Sequence, residues 1–132
     1  MRPALLLYIL LTVCCTAQQQ TADAHVRTAL NAFEVVVDPA YAFSVDACAA
    51  HQLHFAKEVE AGRMTPAQSD VALEPVRTRC QATRRAFDAI RQAQDEAADL
   101  VEAGRVQEAE ELLVQIRARW AALGATSDGG VP

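Results

Sequence analysis

The chain is 132 residues long, carries 17 acidic against 12 basic side chains, and has a formal charge of −5 at neutral pH. That balance argues against nonspecific nucleic-acid binding, which needs a positive field. The length allows one domain with one modest core, and abundant alanine and arginine favour helix.

The first segment reads as a leader. Arg2 and the terminal amine make a short positive region, and residues 4–13 form an apolar run interrupted only by Thr12. A bilayer-spanning helix needs about 20 residues, whereas a run this short suits a cleavable signal peptide. Cys15-Thr16-Ala17 sets small residues at −3 and −1 of a cleavage site, so residues 1–17 are expected to be removed and 18–21 to form a polar linker. Leu11-Thr12-Val13-Cys14-Cys15 also resembles a bacterial lipobox, with Val13 standing where that pattern wants Gly, Ala or Ser. Lipidation at Cys14 or Cys15, or retention of the whole leader, would instead tether the chain to a membrane.

After the leader the apolar periodicity is helical, and an all-α fold is expected over residues 22–124. Val26, Leu30, Phe33 and Val37 form one stripe, which Asp38-Pro39 is expected to interrupt, with Pro39 opening a new helix. Tyr41, Val45, Cys48, Gln52, Phe55 and Val59 continue as a second stripe, and Gly62 supplies the stop. Thr65-Pro66-Ala67-Gln68 then has the form of a capping box with proline at the first helical position.

Pro75 is expected to kink or restart the next helix near Val71. Val76, Cys80, Thr83, Phe87, Ile90, Gln94, Ala97 and Val101 step 4-3 along its length, the seam of helices packed side by side. Gly104 ends it, and Val106, Ala109, Leu113, Ile116, Trp120 and Leu123 mark a last helix closed by Gly124. Residues 125–132 read as a disordered tail. Val59-Glu60-Ala61-Gly62-Arg63 recurs as Val101-Glu102-Ala103-Gly104-Arg105. Both copies fall at helix–helix turns and read as one turn chemistry used twice.

Folding the chain about Gly62–Thr65 brings opposite each other residues whose numbers add to about 128, and Cys48 and Cys80 are such a pair. In an exported chain these two cysteines are expected to form a disulfide. The helix after Thr65 is long enough for its second half to meet both the last helix and the segment before Asp38. The expected architecture is therefore an antiparallel hairpin that becomes a three-helix bundle at one end, stapled in its thin part.

Few residues stand out as sites. Cys48, His51 and His54 share a helix face, but a disulfide consumes Cys48 and no second ligand pair follows, so no metal site is expected. Arg77, Arg84 and Arg91 recur every seven residues beside the long seam. They form either a basic strip meeting an acidic partner or flanking charge that pairs with neighbouring helices and covers the seam with its stems. Asp95, Glu96, Asp99 and Glu102 crowd a helix C-terminus, where negative charge is unfavourable.

No nucleophile elbow, His-Glu-x-x-His, phosphate loop or Cys-x-x-Cys is present, so neither catalytic residues nor cofactor are expected. The leading expectation is a non-enzymatic, periplasmic or secreted helical protein acting through an interaction surface, toward an unknown protein partner or by self-association. The alternatives are a membrane-tethered envelope lipoprotein, of a secretion or phage-lysis cassette, and a small-ligand or metal carrier.

Overall fold

The computed structural model describes residues 2–127, with side chains described for residues 18 and 20–124. Three helices pack against one another: α1 (Arg2–Glu60), α2 (Pro66–Glu102) and α3 (Val106–Ser127). The expected leader, its cleavage site and Cys14 and Cys15 lie outside the described side chains, as does the tail beyond Ser127.

Both turns are built the same way. At the first, Gly62 N–H donates to the Val59 carbonyl and Arg63 N–H to that of Glu58, each at 3.0 Å. At the second, Gly104 N–H donates to Val101 at 3.0 Å and Arg105 N–H to Leu100 at 2.8 Å. These are two Schellman motifs, which satisfy the last carbonyls of a helix by placing one residue in the left-handed region. The glycines take φ of 70° and 75° accordingly. The repeated five residues are thus a repeated helix stop. Thr65 and Gln68 complete the expected capping box, with Gln68 N–H donating to Thr65 Oγ1 at 3.2 Å and Thr65 N–H donating to Gln68 Oε1 at 2.9 Å.

Two local expectations, and one of the two alternatives at Pro75, give way to packing. α1 does not break at Asp38-Pro39, and α2 does not restart at Pro75. Proline removes the hydrogen bond to the carbonyl four residues back, here Val35 and Val71. Those residues are 74% and 76% exposed, so each gap faces outward, where a helix tolerates it best. The step from Val37 to Tyr41 is four residues, so the inward stripe stays in phase across Pro39 and both halves of α1 rest on α2. α3 likewise runs through Gly124, which lacks the positive φ of the two turn glycines.

The core lies at one end. Val26, Leu30 and Val37 of α1, five residues of α2 (Phe87, Ile90, Ala93, Ala97 and Val101), and Val106, Ala109, Leu113 and Ile116 of α3 are buried there.

 Leu100 of α2 is half-buried against this core. One aromatic from each helix closes the core: Tyr41 meets Phe87 edge-on at 5.5 Å, and Phe87 meets Trp120 at 6.2 Å. Such pairs add about 0.5–1.5 kcal/mol beyond their buried area. On the turn side of this tier α1 and α2 continue as a two-helix hairpin, in which Ser69 and Leu73 are the buried residues among those described. The Cys48–Cys80 disulfide spans it, with Cα atoms 6.1 Å apart. The hairpin, the three-helix end and the staple in the thin part all match the sequence expectation.

Candidate interaction surface

α2 and α1 differ in how their side chains are distributed. α2 is apolar on one face and charged on the other. α1 is apolar on two. Its inward stripe packs on α2 and α3, while Ala32, Val36, Pro39, Phe43, Ala47 and Ala50 form a second line on the outside, stepping 4-3-4-4-3 and all exposed. Val35 and Leu53 flank this line and are also exposed. Phe43, near its middle, is 76% exposed. No lysine or arginine occurs from residue 28 to residue 56, and Asp46 is the one acid beside the outer line. An apolar line on the outer side of a helix that already buries an inner stripe departs from the usual pattern of one apolar stripe and one polar face.

This second line was missed in the sequence because alanine and proline carry it. The lack of cations over residues 28–56 was the available signal, since a solvated helix face normally carries both charge signs.

The arginine strip resolves into three different environments. Arg91 crosses to α1, where it donates to Asp38 at 2.7 Å and lies 4.4 Å above the Tyr41 ring. Arg77 donates to Asp70 at 3.3 Å within α2. Arg84 is exposed and has no ion pair or hydrogen bond among the described residues. Two of the three therefore act as flanking charge. Arg27, Glu34, Asp38, Arg91 and Asp95 line an open groove of about 440 Å³ between α1 and α2.

At the turns, Arg63 clasps Glu58 through two bonds of 2.7 and 2.6 Å. This hydrogen bond holds the Glu58 carboxyl below the usual carboxylate range. Arg105 grips Glu108 in the same bidentate way, with Nε 2.6 Å from Oε1, and lowers that carboxyl too. The two copies of the turn thus point their arginines in opposite directions, one back to α1 and one forward into α3.

His51 and His54 are exposed, and Cys48 is held in the disulfide, so the three do not converge. Among the described residues no group of three or more His, Cys, Asp or Glu is placed to hold a metal ion. Asp95, Glu96, Asp99 and Glu102 are exposed at the end of α2. No helix among the described residues is long and apolar enough to cross a membrane. Comparison with protein-family models, with curated proteins and with solved structures finds no match for this chain.

Proposed function

We propose that this is an exported, non-enzymatic helical protein that works by presenting the outer face of α1 to another protein surface. The observation that carries the reading is Phe43, 76% exposed within an apolar line that has no cation beside it. α1 is firmly held behind that line, because its inner stripe is anchored in the three-helix core. The Cys48–Cys80 bond supports export, since disulfides persist in oxidising compartments. The occupant of the outer face is another protein or a second copy of this chain.

A photo-crosslinking residue at position 43, in the full chain expressed with its own leader in a bacterium, tests this. A discrete adduct is expected from position 43 and none from Thr78, exposed on the polar face of α2. The adduct mass separates a second copy from a different protein. Equal labelling at both positions, or none at 43, would overturn the reading.

The tethered alternative rests on Cys14 and Cys15, and the intact mass of the matured chain decides it. A mass beginning at Gln18 supports soluble export, and acyl chains on either cysteine support an envelope lipoprotein.

A further inference from the structure

The disulfide divides the molecule into parts of unequal cohesion. Toward the aromatic tier lies the core shared by three helices. Toward the turn, Ser69 and Leu73 are the buried residues among those described, and the apolar side chains around them, Phe55, Val59, Met64, Ala72 and Val76, are half-buried. The polar contacts there, namely the Schellman turn, the capping box and the Glu58–Arg63 and Asp70–Arg77 pairs, are all local. Exposed ion pairs hold little, and helical segments of this length are marginal without packing.

We propose that the Cys48–Cys80 bond is a redox latch: reduction by a dithiol releases residues 49–79 into a locally open state while the three-helix end stays folded. One thiolate of the dithiol attacks one sulfur of the bond, forming a mixed disulfide and expelling the other cysteine as thiolate. The second thiol of the reductant then attacks the mixed disulfide, leaves as a cyclic disulfide, and frees the remaining cysteine. Two electrons pass from the dithiol to the bond, and its two protons end on Cys48 and Cys80. Neither cysteine belongs to the deep core, since both are half-buried.

Opening is suppressed in the oxidised chain because the 32-residue separation is closed into a loop, which limits the conformations the open tip gains. Removing that constraint favours opening by roughly a hundred- to a thousandfold in the chain-entropy account. The open state turns Phe55, Val59, Leu73 and Val76 outward, so reduction fully exposes an apolar surface that the latched chain covers in part.

Amide hydrogen exchange of the full oxidised chain, repeated after reduction with dithiothreitol, is the test. Exchange across 49–79 is expected to accelerate about a hundredfold or more, with protection across 87–101 and 106–120 retained. A Cys48→Ser, Cys80→Ser chain is expected to show the same pattern without reductant. Unchanged protection across 49–79, in a chain whose mass confirms two added hydrogens, would overturn the latch. So would loss of protection along the whole reduced chain, which would make the bond a global staple.

Discussion

Gly62 and Gly104 are needed for their backbone and not for space, because a Cβ built on either meets nothing within 4 Å. An L side chain in the left-handed region costs about 1–2 kcal/mol. Gly62→Ala and Gly104→Ala are each expected to lower the unfolding free energy by about 1 kcal/mol, read from the denaturant midpoint at unchanged slope. Glu58 gives a second residue-level prediction. Its carboxyl is held low first by the Arg63 hydrogen bond, burial opposing, with the charges of Arg63 and His54 adding. A carboxyl lowered on folding contributes its stabilisation fully above the usual carboxylate range and loses it as pH falls through the lowered value. NMR titration of Glu58 is therefore expected to give a midpoint below that of an ordinary glutamate, returning toward it in Arg63→Ala.

At the scale of the helix, the prolines show where local rules end. Pro39→Ala restores a missing N–H donor at an exposed position in the middle of α1. It is expected to raise stability, by up to about 3 kcal/mol on helix-propensity grounds, measured by thermal unfolding. The inward stripes, both glycine stops, the capping box and the pairing of Cys48 with Cys80 were all legible in the sequence, because each depends on spacing or on one residue's backbone preference. The break at Asp38-Pro39 was misread because a local signal was weighed without the unbroken phase from Val37 to Tyr41. The end at Gly124 was misread in the same way: a glycine stops a helix only where the chain must turn. The outer line of α1 was not legible by periodicity, since it shares one helix with a stronger inner stripe. Arg91 was singled out by its seven-residue spacing, but its contacts with Asp38 and Tyr41 depend on how α1 and α2 are rotated against each other.

In the whole molecule, stability is concentrated at the three-helix end. Ile90 and Ile116 are fully buried there, one on each of the two helices that α1 packs against. Ile90→Ala and Ile116→Ala are each expected to cost about 2–5 kcal/mol, as cavity-forming substitutions in a core do. Leu73→Ala is expected to cost less, because the hairpin around it has few packed neighbours with which to form a cavity. Equilibrium unfolding of the three variants under oxidising conditions ranks them directly.

The position of the disulfide also sets how the chain would behave under tension. A force applied between residues 22 and 124 passes through Cys48, across the sulfur bridge, and on from Cys80. The stretch between them therefore carries no load while the bond is intact. At about 3.3–3.6 Å per extended residue, that stretch stores roughly 110 Å of contour length. A single oxidised molecule pulled apart is expected to stop short by that amount and to yield it only when reductant is added. The bond thus caps the reach of the chain, and the turn at Gly62 stays slack in any pull that does not break it.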